Sequence, residues 1–588
     1  MLSLASAAEL KVERRANRAP VRAPRPKLRP ALFPEAVGAA LVHGWHSALA
    51  FFRHGALYRL TLRGPVPDRI VFPPTDPRPK HLDDADGFLR NRFRFDSQTL
   101  DAEHSSIFDC TLPGADFAAA LHGFEWLRHL EAAGGENAKK LSLKLASDWL
   151  TRHAHYGKPA WRPEIIAARF INVFTHGRFF LANSDLLWRS KFFVSLRNQA
   201  RVLARTISEA PDGVPRFRAA AALVLAGLCL ADARNAVEGL TRLGKEIERQ
   251  ILPDGGHVSR SPQALLETFL VLTMVQQTLE AAHRESPPAI RNALDRMAPM
   301  LRFFRAGDGA LAVFNGGAEN DARYIGALLA GEDAQGKPFG HAPHSSFQRL
   351  AAGKTIVLQD IGMPPRGGFS TEAHAECLAF EMSVGGHRLI VNCGASDGQD
   401  ESWTRALRGT AAHSTLTLND TPSAEVLSVS WLESALGPRL LATGHVETRR
   451  SETVEGIFVE SSHDLYLARY GIVHRRRLVL SPKGNTLTGV DRLIPMRHGP
   501  YRGPALPFAI RFHVHPDVRL SLAQGGGSVI LKLPSGEGWR FRYGGPLEIE
   551  ESVYLGGGTL RRSEQLVIAG GIRGEEVECA WTLEQTVA

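Results

Sequence analysis

Cysteine is scarce in this chain. Among 588 residues there are five, Cys110, Cys229, Cys377, Cys393 and Cys579. They are scattered and odd in number, which excludes a disulfide framework and a zinc-knuckle spacing and casts most of them as small buried apolar residues. No run of eighteen apolar residues occurs, so no transmembrane helix is expected. The opening Met1-Leu2-Ser3-Leu4 lacks the basic residues that precede the apolar core of a secretory leader, and on this ground the chain reads as cytoplasmic. No phosphate-binding glycine loop and no G-x-S-x-G nucleophile elbow is present.

Charge of one sign is also missing from most of the chain. The net charge is +9, but residues 1–30 hold eight Lys/Arg against Glu9 and Glu13 and supply +6 of it, leaving +3 for the rest. Bulk charge therefore gives no argument for a nucleic-acid partner, and none is expected. Residues 1–35 read as a disordered Arg/Pro-rich tail, either a solubilising arm or a contact for an anionic surface or nucleic acid.

What is present is a long chain with two periodicities. Its length predicts two large domains. Over 36–340 apolar residues recur every three or four positions in eight segments between Phe117 and Phe304. Turns such as Gly134-Gly135, Pro211-Asp212-Gly213 and Pro253-Asp254-Gly255-Gly256 separate them. Helical hairpins without intervening strands close either as an open solenoid or as a complete or incomplete α/α toroid. Over 341–588 the period changes to two, and eleven segments read as strands, among them Cys377–Val384, His387–Cys393, Ser414–Asn419 and Ile472–Leu480. Strands without helices between them predict a large antiparallel β-sandwich. The fold class is thus α+β multidomain, a toroid followed by a sandwich.

The chemistry concentrates in the second half. Thr371-Glu372-Ala373-His374-Ala375-Glu376 leads into a hairpin with a Gly385-Gly386 turn, and Arg405-Ala406-Leu407-Arg408 and Ala411-Ala412-His413-Ser414 follow. Two imidazoles suit zinc, and arginine forks bind carboxylates. If Cys377–Val384 is a strand that begins earlier, Glu372, His374 and Glu376 share one face of it. In the first half His257 and Arg260 follow a tight turn, Asn315 and Asn320-Asp321 sit in a Gly/Asn loop, and Trp161-Arg162 could stack on and pair with a sugar. The run Arg475-Arg476-Arg477 reads as a strand with one solvated face, and His513 and His515 share a face with no evident partner.

This arrangement resembles the heparinase II/III-like polysaccharide lyases. Their sandwich carries a His-Ala-Asp/Glu segment, a glycine-turn hairpin and a later Ala-Ala-His motif in this order. The resemblance implies β-elimination on an acidic, uronate-containing polysaccharide or oligosaccharide, and a periplasmic or envelope location as the alternative to cytoplasm. It implies His257, Glu372, His374 and His413 as proton-transfer candidates. Trp161, Arg162, Arg260, Asn315, Arg405 and Arg408 would bind substrate. His374, Asn392 and His413 would be zinc ligands, with Glu376 as a substitute for the weak amide of Asn392. The chain departs from the family where relatives carry an Asn-His pair and a Tyr: those places hold Val214-Pro215 and Ala264. Two other readings stay open, a carbohydrate-binding protein that has kept the scaffold and lost the chemistry, and a glycoside hydrolase using Asp254, Glu319 or Asp321. The oligomeric state is open, with a homodimer among the options.

Overall fold

The structure, a computed structural model, describes residues 32–102, 105–330, 338–396, 401–496, 505–523 and 527–586. The expected basic tail lies outside them up to residue 31, and residues 32–35 open the helix Leu32–Arg53 instead of continuing a tail.

All eight helical segments between Phe117 and Phe304 are present, and two of them are divided: Ala115–His122 and Trp126–Ala133 are separated at Gly123-Phe124, and Pro163–His176 and Arg178–Leu181 at Gly177. Their ends follow local chemistry. Asp232 accepts from the backbone N–H of Arg234 and Asn235 at the start of Ala233–Gln250, and Pro163, Pro262 and Pro288 each stand at the first turn of a helix. Helix Val214–Cys229 forms the hub, with twelve of its sixteen residues buried. It approaches Ala233–Gln250 backbone to backbone, because a Cβ on Gly227 would lie 2.1 Å from the Ala236 nitrogen and one on Gly239 would lie 2.6 Å from the Val224 nitrogen. The hairpins form the incomplete α/α toroid.

The second half is a sandwich of two antiparallel sheets. One has eight strands, ordered Val446–Thr453, Gly456–His463, Ile472–Leu480, Thr486–Pro495, Val577–Gln585, Gly538–Tyr543, Ser528–Lys532 and Arg519–Leu522. The other runs from Leu547–Tyr554 through Arg561–Ile572, Leu506–Val514, His387–Val391, Phe380–Val384 and Thr355–Asp360 to Phe347–Ala352 and His341–Ala342, with Leu416–Leu418 paired to Leu506–Val514. The core between them is built on Phe380, Phe512, Phe541 and Trp581. Gly489 lies under the Trp581 indole, where a Cβ would come within 2.0 Å of the ring. Gly489→Ala is expected to cost about 1–3 kcal/mol through overpacking, read as a lower urea midpoint at unchanged slope.

Two sequence expectations fail here. The strand begins at Phe380, not Cys377, because Leu378 adopts φ +61° and breaks the extended run. Residues 371–379 are irregular, so Glu372, His374 and Glu376 do not share a strand face: Glu372 is exposed while His374 and Glu376 are buried. The run Arg475-Arg476-Arg477 is a strand with one solvated face, as expected, with Arg476 on its fully buried side, whereas His513, expected to lack a partner, has partners in Ser552 and the Ala411 carbonyl.

The halves are bolted together by buried arginines. Arg260 meets Asp360 at 2.5 Å and donates to the carbonyls of Ser345, Ser346 and Met363. Arg388 donates to Asp308 at 2.7 Å and to the Leu311 carbonyl at 2.8 Å.

Candidate functional site

Between the halves lies a cleft of about 1150 Å³. The sandwich contributes Glu372, His374, Arg405, Arg408 and Glu433 to its lining, and the toroid contributes Arg78, Glu125, Arg128, Arg218, Glu267, Asn320, Asp321 and Tyr324. The irregular segment 371–379 is held against the cleft from three sides. Asn315, at φ +46°, accepts from the His374 N–H through its side chain and donates its own N–H to Glu376 Oε1 at 2.9 Å. Arg408 donates to the carbonyls of Ser370, Ala373 and Pro438. Thr410 donates its hydroxyl to the Ala375 carbonyl at 2.7 Å.

Behind the cleft wall, His374, Glu376 and His413 bring one donor atom each within 4.8 Å of one another, all buried. The two imidazole rings stand 5.1 Å apart at 62°. Glu376 Oε2 lies 3.3 Å from His413 Nδ1 but is not aligned for a hydrogen bond, and both imidazole nitrogens of His413 are buried without a partner. Burial, then Arg408, lowers His374 to about 3. Burial, then His374, pushes His413 well down. Burial, then Asp360, pushes the Glu376 carboxyl well up. At neutral pH the trio thus consists of neutral imidazoles and a carboxyl that a neighbouring cation would ionise.

Several expected site residues lie elsewhere. Asn392 is not beside the histidines as a ligand, because its amide oxygen accepts from Ser414 N–H and its amide nitrogen donates to the Val313 carbonyl. Glu376 takes the third place. His257 is buried, with Nε2 against Gln250 Oε1 at 2.9 Å and Nδ1 against Ser259, and burial alone lowers it to about 3. It holds a turn and does not line the cleft. Arg260 is spent on Asp360 and three carbonyls, which removes it as a substrate fork. Trp161 is 2% exposed and donates to the His153 carbonyl, so no ring face is open to a sugar. Arg162 pairs with Glu164 at 2.5 Å away from the cleft, and Asn315 lies beneath the lining. Glu372, His374, Arg405 and Arg408 do reach it. The hydrolase carboxylates are committed: Asp254 accepts from His344 and Ser345, Glu319 from Tyr554, and Asp321 caps the helix Ala322–Leu329.

Sequence reasoning missed Tyr324, Arg78, Arg128 and Arg218. The Asn320-Asp321 cap followed by an eight-residue helix was the available signal for Tyr324. Burial pushes the Tyr324 phenol up, against the pull of the Arg78 charge.

A helical toroid, a two-sheet sandwich and a cleft between them define the scaffold of polysaccharide lyases. Residues 334–582 match the family described as Heparinase II/III-like, C-terminal. FtsZ-localized protein C of Caulobacter vibrioides is 33% identical over 530 residues, covering 88% of this chain and 90% of that protein. The chain belongs to the heparinase II/III-like family. Among solved structures, heparinase III superposes with a TM-score of 0.68 at 14% identity, covering 95% of this chain and 92% of that one. The heparan sulfate lyase HepC of Pedobacter heparinus, as a mutant, gives 0.58 at 16% identity, covering 94% and 90%. At these identities the likeness concerns the fold.

Proposed function

We propose that this chain is an assembly and glycan-binding protein of the FtsZ apparatus, built on the lyase scaffold without its elimination chemistry. The lining of the cleft carries this reading. β-Elimination needs a cation free to neutralise a uronate carboxylate and a group that takes the adjacent proton. Seven carboxylates face five guanidinium groups in the cleft. Arg128 pairs with Glu125 at 2.6 Å, Arg405 with Glu433 at 2.5 Å and Arg218 with Glu267, while Arg78 pairs with Asp76 and Arg408 serves three carbonyls. On the sequence resemblance, Val214, Pro215 and Ala264 stand where the family carries its Asn-His and Tyr. A surplus of carboxylate suits a glycan with few negative charges. The FtsZ association rests on the relative whose name records it.

The test has two arms. A fluorescent fusion is expected to gather where FtsZ assembles. Purified protein is expected to bind an N-acetylated amino-sugar oligosaccharide at least tenfold more tightly than heparan sulfate of matched length, and to release no ultraviolet-absorbing unsaturated uronate. Preference for heparan sulfate, or diffuse localisation, sinks the reading.

One observation favours the lyase alternative. Tyr324 is the only phenol lining the cleft among the described residues, and the Arg78 and Arg128 charges oppose the burial that pushes it up. On that reading an acidic polysaccharide yields unsaturated product, and Tyr324→Phe reduces the rate by about 10²–10⁴.

We also infer that His374, Glu376 and His413 hold a zinc ion. Two imidazoles and a carboxylate are a zinc donor set, and the partnerless nitrogens of His413 and Oε2 of Glu376 gain a partner in it. The ion would fasten segments 371–379 and 410–413, the floor of the cleft.

A further inference from the structure

The chain joins the described fold at the rim of the cleft. Leu32 opens the helix Leu32–Arg53, and this end of the helix sits on the segment that walls the cleft. Phe33 meets Trp431 edge-on at 5.9 Å, Ala36 packs on Leu432 and Leu436, and Glu35 pairs with Arg439. Glu433, two positions after Trp431, and Pro438, next to Arg439, line the cleft itself. Residues 1–31 are therefore tethered within a few residues' reach of its opening.

The last part of that tether and the cleft are complementary in charge. Pro20-Val21-Arg22-Ala23-Pro24-Arg25-Pro26-Lys27-Leu28-Arg29-Pro30 holds four prolines, four cations and no carboxylate. Proline at this density favours the extended polyproline II form, which has no internal hydrogen bonds and needs little further ordering to bind in a groove. At about 3.1 Å per residue the segment spans about 34 Å. The cleft has the opposite sign: seven carboxylates face five guanidinium groups across about 1150 Å³. Of those five, Arg78 is already neutralised by Asp76, which is buried behind the wall. Asp96, Asp116 and Glu372 stand exposed along the lining. A concavity with low-dielectric walls focuses such a surplus of one sign.

We propose that residues 20–30 occupy the cleft of their own chain as an extended strap, with Arg22, Arg25, Lys27 and Arg29 set against its carboxylates. Tethering makes this contact intramolecular. A short flexible connection holds a segment at an effective concentration of about a millimolar, so a contact too weak to form between separate molecules still fills the cleft. Any other ligand of the cleft then has to displace the strap, and salt, which screens the attraction, loosens it. The contact rests on the sign of the cleft and on where the chain enters the fold, and it holds whether the cleft takes a glycan or not.

The experiment is photo-crosslinking of the full chain with Leu28 replaced by p-benzoylphenylalanine, in a mixture of isotopically light and heavy protein, with the products mapped by mass spectrometry. Crosslinks are expected within one chain, to the cleft segments 316–324, 371–374 and 404–408, with a yield that falls as salt rises. Reversing the tail charges together (Arg22→Glu, Arg25→Glu, Lys27→Glu and Arg29→Glu) is expected to lower the yield at least tenfold. Asp116→Lys with Glu372→Lys is expected to do the same in the parent and to restore crosslinking when combined with the reversed tail. The tail variant leaves every described residue untouched, so its result stands even where the lining substitutions disturb folding. No arm uses a glycan, so failure here is separate from failure of the glycan reading. Crosslinks that map to other faces, that join only separate chains, or that persist undiminished in the tail variant overturn the proposal. A tail that crosslinks to nothing is a solubilising arm, which overturns it as well.

Discussion

Arg476→Met is expected to lower the unfolding free energy by about 3–5 kcal/mol, the usual cost of stranding one partner of a buried ion pair. Arg476 and Asp491 are both at 0% exposure in the sandwich core. Asp491 Oδ1 accepts from Arg476 Nε at 2.7 Å and from His474 Nε2 at 2.8 Å, and Oδ2 accepts from the Trp581 indole at 2.9 Å. Removing the guanidinium leaves a carboxylate with two neutral donors in an apolar core. Arg476→Met with Asp491→Leu should recover only part of the loss, because it orphans the indole N–H and His474. A double-mutant cycle read from urea unfolding gives the coupling, and a single variant costing under 1 kcal/mol contradicts the argument.

The same pair sets an acid limit. Burial pushes the Asp491 carboxyl up, but Arg476 and His474 more than reverse this and hold it well below the ordinary carboxylate range. A depressed folded-state pKa stabilises above the unfolded value of about 4 and loses that contribution as pH falls toward the folded value. The parent should therefore lose stability steeply below about pH 4, and Asp491→Asn should flatten that slope.

Arg476 also shows where the sequence could be read and where it could not. Period-two alternation identified Ile472–Leu480 as a strand, and the alternation holds: Ile472, His474, Arg476, Leu478 and Leu480 all point inward. The rule that inward positions are apolar failed, because the partner, Asp491, arrives from the neighbouring strand Thr486–Pro495. Register is not visible from one strand alone. His257 and Arg260 misled for a related reason. A tight turn with His and Arg looks like a cleft edge, yet it meets the first strands of the sandwich, and Arg260 is consumed by Asp360, 100 residues away. The helical half was legible because its segments are long and their caps local. Tyr324 and the arginines Arg78, Arg128 and Arg218 were not, since nothing in their own neighbourhood says that four separate elements converge on one cleft.

Arg476 further donates to the carbonyls of Leu378 and Ser414, at 2.9 and 2.8 Å, so the sandwich core grips the two segments that carry the inferred zinc ligands. Purified protein supplied with zinc is expected to hold one ion per chain, and chelation to lower its melting temperature by several degrees. His413→Ala and Glu376→Gln should each weaken zinc affinity at least tenfold, because each removes one of three protein donors. Asn392 separates this geometry from the one the sequence suggested. Its amide is committed to Ser414, Val313 and Glu381, so Asn392→Ala should leave zinc content unchanged while costing stability. Asn392→Asp should not tighten zinc binding, since the new carboxylate would face the Val313 carbonyl and the Glu381 carboxyl, which burial, opposed by Arg388, holds at about 7. If Asn392→Asp tightens zinc binding and Glu376→Gln leaves it alone, Asn392 rather than Glu376 is the third ligand. If neither chelation nor any of these substitutions changes metal content or melting, the trio is a buried polar cluster, and the floor of the cleft is held by Arg408, Thr410 and Asn315 alone.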